Sequence, residues 1–129
     1  PVLAELEACV GIVLDLPTDK PRPKQWTFRG DSITTFVPSE LGRPSAGATP
    51  FVMHLTAFFI QLWKSSHRAT VLLGVPFHTR QDPGLESLCG CFMNMVCVVG
   101  KTDMRMTATM ALEHVRQQWL RAAENSAVP

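Results

Sequence analysis

The sequence is short of charge. Lysine and arginine together number 12 and aspartate and glutamate 11, so the formal net charge is +1, and charged residues make up 18% of 129. So even a balance offers no basic field for a nucleic-acid backbone and no acidic tail. Long hydrophobic runs are also missing. A bilayer span takes about 20 apolar residues; the most apolar stretch, residues 51–63, is shorter and contains His54, Thr56 and Gln61. No basic segment followed by an apolar one opens the chain as a secretion signal would. Neither nucleic acid nor a membrane is therefore an expected partner, and the expected location is cytoplasmic. There is no internal repeat and no low-complexity tract. The chain opens on Pro1 rather than Met, as expected of a chain cut from something longer.

Familiar catalytic signatures are absent as well. Without G-x-S-x-G or S-x-x-K there is no recognisable serine nucleophile. Without G-x-G-x-x-G or G-x-x-x-x-G-K-(S/T) there is no phosphate-binding loop. The four histidines, His54, His67, His78 and His114, form no H-E-x-x-H pair and no two are adjacent. His54 and His114 read as packed or solvated side chains. His78 is better placed, because a loop leaving a buried strand often rims a site.

Four cysteines are present: Cys9, Cys89, Cys91 and Cys97. The last three share a parity, so an extended strand would aim them to one side. They are expected to be reduced and buried, packing much as valine does. The alternatives are two disulfides in one of three pairings, or a metal site of Cys89-x-Cys91 with Cys97 or His78. No C-x-x-C pair supports the latter, and no metal is expected.

What is there is apolar material, 46% of the chain. That is enough for one small domain, or a piece of one, and argues against disorder. Residues 1–9 suit a short helix end and residues 10–16 a short apolar run. The prolines of PTDKPRPKQ that follow impose an extended loop. Residues 25–37 (QWTFRGDSITTFV), rich in aromatic and β-branched types, predict a strand with Gly30-Asp31 as a turn or bulge. Residues 38–50 read as a surface loop. Thr49 and Pro50 then announce a helix by capping and first-turn preference. Residues 51–66 are apolar on almost every face, which predicts a buried helix.

Residues 70–75 (TVLLGV) and 92–99 (FMNMVCVV) predict strands covered on both faces. Between them lies a loop over residues 76–84, centred on Arg80, Gln81 and Asp82, and one helical turn at 85–88. A turn is expected at 100–103. Residues 106–124 form the clearest amphipathic helix, with Ala108, Ala111, Leu112, Val115, Trp119 and Ala122 at 3, 4 spacing. The order of elements is that of a layered α/β domain. Asn94 interrupts an otherwise apolar strand. A buried amide must be hydrogen-bonded or it costs about 1–3 kcal/mol. It is either a structural tie to a neighbouring loop or an amide lining a site.

At these residues the sequence resembles a known family. Gly74-x-Pro76-x-x-x-Arg80, then Pro83-x-Leu85-Glu86-x-Leu88-x-Gly90-x-Phe92-x-Asn94, is similar to a stretch of the condensation domains of nonribosomal peptide synthetases. There it reads approximately G-x-P-x-x-x-R, then P-x-L-E-x-L-I-G-x-F-V-N. Upstream, the run from Leu14 to Pro23 (LDLPTDKPRP) resembles the family's L-x-L-P-T-D-(R/K)-P-R-P signature. Ala57-Phe58 falls in register with its T-L-F helix. The motifs occur in order over nearly the whole chain.

The resemblance implies a chloramphenicol-acetyltransferase-like fold, two lobes around a cleft. It implies amide bond formation between a carrier-protein-bound acyl donor thioester and an acceptor amine, assisted by the second His of H-H-x-x-x-D-G. That motif is absent, so no catalytic residue is expected in this chain. Residues 1–129 are read as part of the C-terminal lobe, a mixed β-sheet packed by helices, inactive alone. By carry-over, Asn94, Phe92 and Gly90 line the cleft, and His78 and Arg80 stand on the loop near it. Arg80 either fixes that loop or contacts a carrier-borne arm. The chain is expected to need no cofactor of its own, only the phosphopantetheine arm of partner carrier proteins. The other expected partner is the missing N-terminal lobe or the remainder of the parent domain.

Several departures stand out. Residues 42–47 replace a longer segment. Residues 125–129 (NSAVP) stand where the family has (H/N)-Q-D-x-P-F-E, which suggests a divergent member, such as one from a polyketide–peptide hybrid system. Cys89 and Cys91 replace Ile and an aromatic. A non-catalytic carrier-docking or scaffold remnant, and an ester-forming acyltransferase, are the alternative functions.

Overall fold

The computed structural model describes residues 2–21, 23–25, 27–36, 38, 47–80, 83–103 and 105–126, without the side chains of residues 2 and 3. Most of the expected loop at 38–50, Gln81 and Asp82 in the 76–84 loop, and residues 127–129 of the divergent end lie outside the described residues.

Among the described residues the main elements follow one another as α1 (Val2–Glu7), α2 (Pro50–Ser66), β1 (Thr70–His78), β2 (Met93–Lys101) and α3 (Ala108–Glu124). Helix α2 begins as the sequence predicts. The Thr49 hydroxyl accepts the Val52 N–H at 3.3 Å, and Pro50 occupies the first turn, where its missing donor costs nothing. It ends on His67, in the left-handed region at φ 53°, whose N–H donates to the Trp63 carbonyl. Thr107 caps α3 in the same way, accepting the Met110 N–H at 3.2 Å.

The two strands pair antiparallel. Val71, Leu73, Val75 and Phe77 of β1 stand opposite Gly100, Val98, Val96 and Asn94 of β2. This alternate set faces the helices. The core gathers Leu55, Phe59, Leu62 and Trp63 from α2 with Val71, Val75, Val96 and Val98 from the sheet and Ala111, Val115 and Ala122 from α3. Phe59, Val71, Val98 and Val115 are fully buried at its centre. Gly100 belongs to β2 rather than to the expected turn, and a Cβ there would run into the Phe59 ring.

The structure corrects several expectations in one direction. The helices cover one face of the strands in full; the second is covered only at one end, where Val99 is buried and Leu72 half-buried. On the other face Gly74, Pro76, Met93, Met95 and Cys97 are exposed, because both long helices pack on the same side. Pro76 is tolerated because, among the described residues, β1 has a single partner strand and its other edge needs no donor. Among the described residues the sheet is antiparallel, not mixed. The segment nominated as a third strand joins no ladder: residues 27–36 are irregular, with Ile33 95% and Phe36 97% exposed. Strand-forming residue types do not make a strand without an edge to pair with. Helix α2 is not apolar-and-buried all round, since Phe58 is exposed and His54 faces out. Cys9 is the buried cysteine; Cys89, Cys91 and Cys97 are exposed. Only Cys97 lies on a strand, so the shared parity does not place the three on one sheet face.

Candidate functional site

The candidate site residues lie on the hairpin that joins β1 to β2. Where the strands part, the Thr79 N–H donates to the Phe92 carbonyl at 2.8 Å and extends the ladder by one bond. A tight helical turn at Pro83–Leu85 follows, continued by the Glu86 N–H to the Pro83 carbonyl and the Leu88 N–H to the Leu85 carbonyl. Arg80 closes this loop from within. Its Nη1 donates to the Glu86 carbonyl at 3.0 Å, and its guanidinium lies 4.3 Å from the centre of the Phe92 ring. A cation over an aromatic face contributes about 0.5–1 kcal/mol at such a half-exposed place. The Phe92 ring in turn lies against Gly90, where a Cβ would come within 3.2 Å of it. Arg80, Phe92 and Gly90 therefore form one unit, in which the arginine braces the loop.

Asn94 and His78 are not part of that unit and lie on opposite faces of the sheet. Asn94 pairs with Phe77 on the helix-facing side, and its Nδ2 donates to the Ser126 carbonyl at 2.9 Å, just beyond α3. Its Oδ1 accepts the Met95 N–H at 2.9 Å. The amide thus ties β2 to the residue just beyond α3. His78 stands opposite Met93 on the exposed side. Beside Asn94 the core ends in an aromatic group: Trp119 lies 5.6 Å from Phe77 and 4.7 Å from Phe51, ring centre to ring centre.

One polar cluster had no signal in the sequence. At the far end of β2 the Lys101 N–H donates to Nε2 of His114 at 3.1 Å, and the Lys101 ammonium pairs with Glu5 at 2.8 Å. The cluster joins α1, β2 and α3, with Glu5 and Lys101 alone 96 residues apart, a separation that no local pattern spans. Burial, the largest influence, holds His114 below its ordinary value of 6.5, while the Lys101 hydrogen bond lowers the Glu5 carboxyl. On the α3 surface Arg116 and Gln117 hydrogen-bond Glu113 and pull its pKa to about 2. Among the described residues no three of His, Cys, Asp and Glu come together as metal ligands, and no helix is long and apolar enough to cross a membrane.

The similarity to known proteins runs along nearly the whole chain. Residues 5–129 match the family model of the condensation domain. The chain is 34% identical over 125 residues to a linear gramicidin synthase of Brevibacillus parabrevis, covering 91% of this chain. It is 32% identical over 124 residues to malpinin synthetase of Mortierella alpina, and 32% identical over 123 to phosphinothricin tripeptide synthetase PhsC of Streptomyces viridochromogenes. It spans 2% of the length of the first two relatives and 11% of the third. With the family model covering almost every residue and relatives above 30% identity along nine-tenths of its length, the chain belongs to the condensation-domain family.

Proposed function

We propose that this chain is part of the C-terminal lobe of a chloramphenicol-acetyltransferase-like condensation domain whose parent forms amide bonds. The acceptor amine nitrogen attacks the carbonyl carbon of a carrier-bound acyl thioester. A C–N bond forms, the C–S bond breaks, and the thiol leaves with the proton given up by the amine. The base for that proton is the second His of H-H-x-x-x-D-G, which belongs to the other lobe, so this chain alone is inactive. Asn94, Phe92 and Gly90 line the cleft, and His78 and Arg80 border it. The phosphopantetheine arms of donor and acceptor carrier proteins deliver the substrates. Such an arm is a chain of amides, which suits a hydrogen-bonding group such as the exposed His78 imidazole. The parent works in the cytoplasm, in a peptide or polyketide–peptide hybrid system, the latter suggested by the replaced Gln and Asp near residue 125.

The observation that carries this proposal is the family match over residues 5–129, and the bare sheet face adds to it. A two-stranded sheet is marginal alone in water. Here Met93, Met95 and Cys97 are exposed along one face among the described residues, as suits a lobe whose remaining strands and partner lobe come from chain outside these residues. The test is an assay on the parent polypeptide with loaded donor and acceptor carriers, reading condensed product by mass spectrometry. Amide product is expected from the parent and none from residues 1–129. Asn94→Ala in the parent is expected to lower turnover more than stability. Product from the isolated chain would overturn the assignment of catalysis to the other lobe. An inactive parent with a degraded H-H-x-x-x-D-G motif would establish a carrier-docking scaffold instead, and transfer to a hydroxyl acceptor an ester-forming enzyme.

A further inference from the structure

Cys89, Gly90 and Cys91 form a Cys-Gly-Cys sequence in the loop that leads into β2, and both thiols are exposed. The chain bends at Gly90. Residues two apart in a chain lie at most about 7 Å apart between Cα atoms, and a disulfide needs about 4.4–6.8 Å. Glycine between the two cysteines removes the side chain that would most resist the tighter curvature of a closed ring. The surroundings hold this bend in place. Phe92 lies against Gly90 on one side, Arg80 covers Phe92, and the Thr79 N–H binds the Phe92 carbonyl. Cys97, by contrast, is held in the β2 ladder opposite Gly74, and Cys9 is buried near α1.

We propose that Cys89 and Cys91 constitute a reversible dithiol–disulfide site that exchanges with low-molecular-weight disulfides. The reaction balances as two thiol–disulfide exchanges. One cysteine thiolate attacks the small disulfide, forming a mixed disulfide and releasing one small thiol. The second cysteine then attacks the protein sulfur, closing the Cys89–Cys91 bond and releasing the other small thiol. The protein loses two electrons and two protons, and the small disulfide gains them. A bridge across so short a loop adds little chain-entropy stabilisation, and an exposed, strained bridge is among the more easily reduced ones. The site therefore acts as a switch on the loop rather than as a staple. It stands on this chain's own residues and is independent of the amide-forming proposal.

The test is equilibration of the protein in glutathione redox buffers of increasing oxidised fraction, acid quenching, alkylation of free thiols and tryptic digestion. Cleavage after Arg80 and Lys101 leaves Cys89, Cys91 and Cys97 in one peptide. The expected oxidised product is that peptide two hydrogens lighter and alkylated once. The bridge should persist in Cys97→Ser, vanish in Cys89→Ser and Cys91→Ser, and reopen as the buffer is made reducing. All three sites are exposed, so the variants leave the core intact. A bridge that survives Cys89→Ser or Cys91→Ser, or glutathione adducts with no internal bridge under the most oxidising buffer, would overturn the proposal.

Discussion

Gly100→Ala adds one methyl group at the tightest place in the molecule. Gly100 pairs with Val71 on the helix-facing side of the sheet, and the new Cβ would meet the Cδ1 and Cε1 atoms of Phe59 closer than real Cβ atoms approach anything. The ring cannot yield toward solvent, because Phe59 is fully buried between Val71, Val98 and the rest of the core. Gly100 does not have a positive φ, so the requirement for glycine is one of space rather than backbone conformation. Overpacking of this kind costs about 1–3 kcal/mol, here toward the upper end because a ring atom and not a flexible chain end is struck. Alanine returns about 0.5–1 kcal/mol, since glycine in a strand is entropically unfavourable. The net expectation is a loss of about 2 kcal/mol. With an unfolding entropy of about 2.1 cal/mol/K per residue, this lowers the melting temperature by roughly 7 °C.

Circular dichroism melting and urea unfolding measure it, the latter through a lower midpoint at an unchanged slope. A second variant isolates the cause. Combining Gly100→Ala with Phe59→Leu removes the struck ring atoms, so the double variant should be more stable than the summed single effects predict, by about 1 kcal/mol or more. A Gly100→Ala protein as stable as the parent sequence, or strictly additive effects, would refute the packing of Phe59 on β2.

The remaining predictions concern polar groups and the bare sheet face. Trp63 is buried and its Nε1 lacks a hydrogen-bond partner among the described residues. Trp63→Phe should therefore cost under about 1 kcal/mol in urea unfolding, against about 3–5 kcal/mol for Phe59→Ala. His114 has its folded pKa below 6.5, so the unfolded chain takes up the proton first. Its contribution to stability is complete above pH 6.5 and declines as the pH falls below that value. Glu5, Lys101 and Arg121 are the charged groups around it. His114→Gln, which keeps an acceptor for the Lys101 N–H without titrating, should flatten the pH–stability curve just below pH 6.5; an unchanged curve would exclude His114 as its source. The Glu5 contribution has the depressed-carboxylate sign, present above pH 4.5 and lost on further acidification, and Glu5→Gln should remove that part of the acid slope. In a Cys89→Ser/Cys91→Ser background, Cys97 should react with maleimide more slowly in the parent polypeptide than in residues 1–129. Equal rates would show that nothing covers the outer face of β2.

Features set by local rules were legible in the residues. Thr49-Pro50 announced α2 through the capping hydroxyl and the donor-free first turn. Ala111, Val115 and Ala122 announced the buried face of α3 through their spacing. Asn94 was recognisable as an amide in need of partners, although only the fold identifies one of them as the Ser126 carbonyl. Arg80 could be placed on the hairpin loop, but its stacking on Phe92 depends on the turn geometry of the chain between them. The Lys101–Glu5–His114 cluster was illegible for a simpler reason. Its members lie on three elements, and nothing in the sequence near any of them specifies the other two.

The missed expectations have a common physical form. Cys97, Met93 and Met95 have residue types suited to a buried strand face, Phe58 to a buried helix face, and residues 27–36 to a paired strand, yet all are exposed. Single exposed apolar side chains are ordinary. Here Met93, Met95 and Cys97 recur at every second residue of one strand, which makes a continuous face rather than scattered exposure. Hydrophobic pattern records the environment in which a segment is stable, and local rules cannot tell whether that environment is supplied by the same stretch of chain. Where both partners of a contact lie within these residues, as with Phe59, Val71 and Val98, pattern and structure agree closely. Where they diverge on regular elements, at Met93, Met95 and Cys97 of β2 and Phe58 of α2, the side chains lie on faces that neither long helix covers. On the condensation-domain proposal those faces meet the rest of the domain, and Cys97 is the residue whose reactivity distinguishes a covered face from a bare one.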